Sequence, residues 1–233
     1  MSEYVGTELE IFREAHNWKG YWSRCIAPFT AGRVLEVGAG IGANTPFLAN
    51  PSVTHMLLLE PDSRFAAPLS DAARSIGQPD LRVENRIGTV VDLAASERFD
   101  TILYVDVLEH IEDDRAALRA MRDVLTPGGR VILIIPAHQA LHGSIDRAIG
   151  HYRRYDRHEI EAKLADAGLA PEHVSYFNVL GVPGWFLNAR ILQRQSVPGF
   201  QARVNDRLVP LLRLERKLHL PFGMSLLAVG RAA

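Results

Sequence analysis

A chain of 233 residues, 47% of them apolar and 23% charged, is long enough to bury a substantial core and has the composition of a globular protein, not a disordered or fibrous one. Its 26 Lys and Arg against 27 Asp and Glu leave a net charge of −1, which argues against a general nucleic-acid binder, since such proteins carry a positive excess to replace phosphate counterions. The single cysteine, Cys25, excludes an internal disulfide and a cysteine-built metal centre, and points to a reducing cytoplasm.

In chain order, residues 1–30 read as helical, and the opening MSEYVGTELEIF has neither the basic end nor the apolar run of a secretion signal. Short runs rich in Leu and β-branched residues follow at Arg33–Val37, His55–Leu59, Leu81–Glu84, Phe99–Val105 and Arg130–Ile135. Their near-continuous apolarity suits strands buried on both faces of a parallel sheet. Helix candidates lie between them at Ala43–Ala49, Asp62–Ile76 and Asp113–Leu125. This alternation predicts an α/β fold with a doubly wound sheet. The tail adds a helix at 157–168, a strand at His173–Asn178, helices around Pro183–Gln195 and Val204–His219, and a last strand at Ser225–Val229. The most apolar long window, Val174–Leu192, is broken by Asn178, Pro183, Asn188 and Arg190, so it reads as core and not as a membrane span.

The segment Glu36-Val-Gly38-Ala-Gly40-Ile-Gly42 joins the first strand to a helix. Glycines there permit a tight turn and let a ligand approach the main chain with no Cβ in the way. The loop alone fits either a dinucleotide or an adenosyl ligand, and so does Glu60, which ends the second strand where a carboxylate can accept hydrogen bonds from ribose hydroxyls. Glu36 favours the adenosyl ligand, because its carboxylate can meet the ammonium of a methionine tail and would repel a pyrophosphate.

Together with Glu60-Pro-Asp62, Asp106-Val-Leu-Glu109-His110 and Leu125-Thr-Pro-Gly-Gly129, the loop resembles the class I S-adenosylmethionine-dependent methyltransferases over residues 33–136. The resemblance implies a Rossmann-like sheet of seven strands whose last is antiparallel, with S-adenosyl-L-methionine as cofactor. It places Gly38, Gly40 and Gly42 along the methionine and ribose of the cofactor and Glu60 on the ribose. Asp106 joins this cofactor set, and Gly88-Thr89-Val90 falls at the adenine, with no acidic residue among the three. DNA is a poor acceptor for such an enzyme, because Tyr104-Val-Asp106-Val stands where base methyltransferases carry an Asn/Asp-Pro-Pro-aromatic motif. The D-x-x-E-H cluster of Asp106, Glu109 and His110 is similar to one that holds a divalent metal in ubiquinone-biosynthesis O-methyltransferases. The alternative reading of that cluster, which we adopt at this stage, is helix capping by Asp106 and Glu109 with no metal.

Methyl transfer from a sulfonium is an in-line displacement, so it needs positioning, exclusion of water and a group to take the acceptor's proton. The segment 137–156 follows the fifth strand on the side where ligands of such sheets bind, and it carries proton carriers at His138, His142, Asp146, His151 and Tyr152. His138, His151, Asp146 and Tyr152 are the catalytic candidates. His142, Arg153, Trp18 and Tyr21 are the candidates for acceptor binding: Arg153, with Arg154 beside it, for an anionic group, and the two aromatics from a helical lid at 1–30. The arginines can instead pair with the acidic run at 112–114. Residues 190–217 carry seven Arg or Lys against Asp206 and Glu215 among apolar residues, which suits either an anionic membrane or lipid-linked substrate, or a solvated helix face.

The expectation is therefore a single domain: a lid at 1–30, a cofactor-binding core at 33–136, an acceptor-side segment at 137–156, and C-terminal strands and helices at 157–233. It methylates an oxygen or nitrogen of a small molecule. The alternatives are an NAD(P)-dependent oxidoreductase and a non-catalytic adenosyl-binding protein.

Overall fold

The computed structural model describes residues 14–233, apart from residues 79, 213, 214 and 219 and the side chains of 216 and 217. The first thirteen residues of the expected lid therefore lie outside the described residues.

Seven strands form one sheet in the order β3-β2-β1-β4-β5-β7-β6. They are β1 (Gly32–Val37), β2 (Val53–Glu60), β3 (Arg82–Ile87), β4 (Phe99–Val105), β5 (Leu125–Pro136), β6 (Leu169–Phe177) and β7 (Ser225–Ala232). The first five run parallel, and β7 lies antiparallel between β5 and β6. The antiparallel last strand expected at Ser225–Val229 is thus present.

Successive residues of the inner strands bury on opposite faces, which is why these strands read as unbroken apolar runs. Leu35, Leu57, Ile102, Leu133 and Ala228 pack on one face with Leu118 and Met121 of α4 (Asp114–Asp123) and Ile160 and Leu164 of α6 (Arg157–Asp166). Val34, Met56, Leu58, Leu103, Ile132 and Val229 pack on the other. Their partners are Tyr21, Trp22 and Ile26 of α1 (His16–Ile26), Leu48 of α2 (Thr45–Leu48), Leu69 of α3 (Ala66–Ser75), and Val209 and Leu212 of α8 (Gly199–Leu212).

Several boundaries differ from expectation: β6 begins at Leu169 and not at His173, and the helix expected at Val204–His219 is α8 and a separate turn at Glu215–Leu218. Two further differences have local reasons. Helix α4 stops at Asp123 because Leu125 already pairs with Phe99, so β5 begins five residues before Arg130 and absorbs the Thr-Pro-Gly-Gly turn. The helix expected at Pro183–Gln195 is a short α7 (Gly181–Trp185) that continues as a π-helical turn, Phe186–Ile191. The remaining helices are α5 (Ser144–Ala148) and α9 (Glu215–Leu218). Among the described residues, no helix is long and apolar enough to cross a membrane.

Candidate active site

The strand order reverses between β1 and β4, and in such sheets the crevice beyond the carboxyl ends at that point is where ligands bind. The chain leaves β1 through Gly38, Gly40 and Gly42, all in the left-handed region. A Cβ on Gly38 would come within 2.6 Å of Val107, so the turn needs glycine for space as well as for its φ of 68°. The Gly38 and Ala39 amides both donate to the Leu59 carbonyl, at 2.8 and 3.1 Å. Glu60 is buried at the end of β2, where its Oε2 accepts from the Gly40 amide and its Oε1 from the Asp62 amide. Burial raises its pKa while those two amides oppose the rise. Glu60 thus shapes the loop and has carboxylate lone pairs left for a ligand.

Glu36 is 2% exposed, and burial pushes its carboxyl up to about 7 against a hydrogen bond from Thr45 Oγ1 and the charge of Lys19. It lies at the end of β1, two residues before the loop, where a ligand's cation would add to the charge of Lys19 in favouring its ionised form.

Across the crevice, Gly88 donates to the Glu60 carbonyl, and the turn closes when Thr89 donates from its amide and hydroxyl to Asp92 Oδ2. The sequence reading overlooked Asp92, although Thr-x-x-Asp is a capping-box spacing that signals it. It also placed Val90 at the ligand, whereas that side chain packs in the core and Val91 stands 79% exposed. Asp106, just past β4, holds a φ of 53°, an uncommon backbone for a residue with a side chain and one that clusters at functional sites. Its surface is exposed, but protein is packed densely around its carboxyl. That environment raises its carboxyl to about 6, with Arg154 pulling the other way.

Behind Asp106 lies a buried charged cluster. Asp146 Oδ1 accepts from Arg154 Nε at 2.7 Å and pairs with His151 Nδ1 at 3.0 Å, while Oδ2 accepts from the Gly143 amide at 2.8 Å. Burial alone would raise Asp146, but these bonds and charges outweigh it and leave its pKa below the usual carboxylate value. With Nδ1 so held, His151 turns Nε2 to within 3.7 Å of Glu109 Oε1. Glu109 is fully buried, and neither of its carboxylate oxygens has a hydrogen-bond partner. Burial, and then the charge of Asp106, push its pKa well up. His110 sets its ring edge-on to His151, with centroids 4.7 Å apart, and burial lowers its pKa to about 4. Neither Asp106 nor Glu109 caps a helix. The cap of α4 is Asp113, whose side chain accepts from the Ala116 amide, so the capping roles expected for the other two are corrected. Donor atoms of Glu109, His110 and His151 lie within 4.8 Å of one another, an arrangement that fits a divalent cation.

Other expected site residues are engaged elsewhere. His138 stacks on Tyr176, pairs through Nδ1 with Asp156 at 3.3 Å, and accepts from the Gly223 amide at Nε2. His142 bonds the His151 carbonyl through Nε2. Asp146 is fully buried with three polar partners, so it orients His151 and does not face an acceptor. Arg153 pairs with Asp114 at 2.7 Å and donates to the Glu112 carbonyl, the structural alternative already weighed for it. Tyr21 is buried, its hydroxyl donating to Glu215 at 2.7 Å and lying 3.1 Å from the Leu212 carbonyl, and Trp18 stacks on Phe177. Helix α1 is therefore packed between α8 and the sheet, and these two aromatics belong to that packing. Tyr152 stands 53% exposed beside Glu109, whose carbonyl accepts its amide. Arg154, expected beside Arg153 at an anionic acceptor, is instead the cation that holds the cluster: it is buried, pairs with Asp146 and sits over the Trp185 ring.

A glycine loop at the reversal point, an acidic residue closing β2 and a seventh strand inserted antiparallel define a nucleoside-binding α/β protein of the methyltransferase type. Residues 12–174 match the family model described as a methyltransferase domain. The ubiquinone biosynthesis O-methyltransferase of Xanthomonas euvesicatoria pv. vesicatoria is 30% identical over 211 residues, which cover 84% of this chain and 77% of that one. The enzyme of the same name from Cereibacter sphaeroides is 37% identical over 116 residues, 45% of this chain and 41% of that one. Among solved structures, the N-methyltransferase NodS of Bradyrhizobium japonicum, in complex with S-adenosyl-L-homocysteine, superposes with a TM-score of 0.58 at 18% identity, covering 99% of this chain and 93% of that one. YcgJ of Bacillus subtilis superposes at 0.60, also at 18% identity, over 93% and 98%. The chain belongs to the class I S-adenosylmethionine-dependent methyltransferases. It is an enzyme that uses S-adenosylmethionine to methylate a small molecule.

Proposed function

We propose that the acceptor atom is a hydroxyl oxygen presented at Asp106, and that His151 takes its proton. The observation that supports this reading is the Asp146–His151–Glu109 chain. One nitrogen of the imidazole is fixed by a carboxylate, and the other is aimed at the unpartnered Glu109 beside Asp106. Burial lowers the His151 pKa, which keeps the ring neutral and able to accept a proton near pH 7. In this reading Gly38, Gly40, Gly42 and Glu60 hold the methyl donor, the turn from Gly88 to Asp92 edges the adenine, and Glu36 supplies the counter-charge for the methionine ammonium. The named relatives are O-methyltransferases, which supports oxygen over nitrogen.

The unpartnered Glu109 carboxylate favours a second reading, in which Glu109, His110 and His151 hold a divalent cation. Such a cation would polarise a hydroxyl and lower its pKa. The two readings compete for His151 Nε2. Methylation of a panel of phenolic hydroxyl and amine acceptors, followed by mass spectrometry with and without EDTA, separates them. Ether products formed equally in EDTA support the proton-transfer reading. Loss of activity that magnesium restores supports the cation, and methylated amines alone overturn the choice of oxygen.

A further inference from the structure

Ten of the thirteen large apolar side chains that stand exposed among the described residues lie between Leu180 and Phe222. In α8, Ala202, Val209 and Leu212 face the core while Phe200, Leu208 and Leu211 face out, so the helix is apolar on two sides. The π-helical turn beside it exposes Phe186, Leu187 and Ile191. Asn188 Nδ2 donates to Gln201 Oε1 at 2.6 Å, which ties the turn to α8.

The charges on this stretch are sorted by side. Asp206 turns inward, accepting from the Trp18 amide and from Asn17, and Glu215 is buried, accepting from Tyr21 and from the Asn178 and Val179 amides. Arg190, Arg194, Arg203 and Arg207 are exposed, and among the described residues none makes an ion pair. What remains outward is cationic and apolar together. A solvated helix face needs no exposed Phe, and four outward arginines without ion pairs complement an anionic surface.

We propose that this face docks on an anionic lipid bilayer, lying in its surface without crossing it. Apolar side chains would enter the acyl boundary while the arginines meet phosphate headgroups, the division of labour of an interfacial helix. The face is continuous with the acceptor side of the enzyme. Arg190 donates to the His142 carbonyl at 3.0 Å and Ser144 Oγ to the Ala189 carbonyl at 3.0 Å, so docking would hold the segment after β5 at the lipid surface. Resting on the methyl-transfer reading, this consequence marks the acceptor as amphiphilic and dissolved in the membrane.

Cosedimentation of the full chain with phosphatidylcholine vesicles, with or without about 30% phosphatidylglycerol, tests the docking without any methyl donor or acceptor. Failure here is thus separate from failure of the catalytic reading. The expected result is at least tenfold tighter partition onto the anionic vesicles, weakened by salt, roughly the effect of two or more arginines at the surface. Arg203→Glu with Arg207→Glu should remove about tenfold or more of it, and Phe200→Asp with Leu211→Asp should abolish it, with the melting curve and donor binding unchanged. No preference of the unaltered chain for anionic vesicles overturns the proposal. So does a concentration-dependent dimer that both double variants dissolve while vesicle binding is absent, since that would assign the face to a second copy of the chain.

Discussion

The Gly40 amide donates to the Glu60 carboxylate at 2.8 Å, so the turn after β1 is fastened to the end of β2 by the same side chain that we propose for the ribose. Glu60→Ala removes both the fastening and the proposed ribose contact, and should weaken S-adenosylmethionine binding by about 1.5–3 kcal/mol. Glu60→Gln retains an oxygen for the Gly40 amide and should lose less. Calorimetry on the two variants checks the order, and an equal loss would show that the charge alone matters.

Gly38 offers a steric test of the same loop. Gly38→Ala places a methyl group against Val107 at a φ of 68°, and should cost about 1–3 kcal/mol of stability and impair donor binding. Adding Val107→Ala relieves the clash but not the backbone strain, so thermal unfolding of the double variant should recover part of the loss. Full recovery would exclude strain as a contributor.

Burial holds Glu36 at about 7 in the folded chain, against an ordinary value of 4.5. Its stabilising contribution is complete below about pH 4.5 and disappears as the pH rises through 7, where the folded chain must accept a buried charge. Glu36→Gln keeps an acceptor for Thr45 and should raise stability at pH 8 by about 3 kcal/mol, with little change at pH 5. Because a bound ammonium favours the ionised form, donor affinity should climb between pH 6 and 8 in the unaltered protein and stay flat in the variant. Parallel denaturant titrations and binding isotherms at the two pH values measure both effects.

His151→Ala should lower turnover by about 10²–10⁴-fold while leaving donor affinity nearly unchanged. Asp146→Asn should lower it less, and should shift the pH profile, because the amide can still hold Nδ1 but withdraws the charge that favours protonation. Single-turnover assays across pH 5.5–9, roughly the range in which histidine titrates, distinguish loss of the base from loss of folding.

Arg153→Ala should destabilise the chain by about 1–2 kcal/mol and leave the acceptor's KM unaltered, since its guanidinium is spent on Asp114 and the Glu112 carbonyl. A raised KM with unchanged stability would return Arg153 to the acceptor.

Strands such as Phe99–Val105 are readable from sequence because burial on both faces leaves a continuous apolar signature, and the glycine loop is readable because few other residues tolerate its backbone. Pairings across the fold leave no such mark. Nothing local to Tyr21 announces Glu215, and nothing local to Arg153 announces Asp114, so an aromatic and an arginine suited to ligand binding were assigned to the ligand. The same holds for Arg154, whose partner Asp146 lies eight residues back and whose role differs from that of Arg153 through the side of the chain it faces. At Asp113 the signal was present in the residue itself, but the cap had been given to the acids a few residues earlier.

The position of β7 has a bearing on biosynthesis. Among the described residues, strand β6 makes its sheet hydrogen bonds only to β7, which is translated last of the seven and separates β6 from β5. While the chain grows, β1 to β5 can assemble first, but the edge of β5 stays open and β6 waits without a partner. Exposed strand edges of this kind are where nascent chains misassociate, so the interval between synthesis of β5 and arrival of β7 is when the growing chain is most open to wrong pairing.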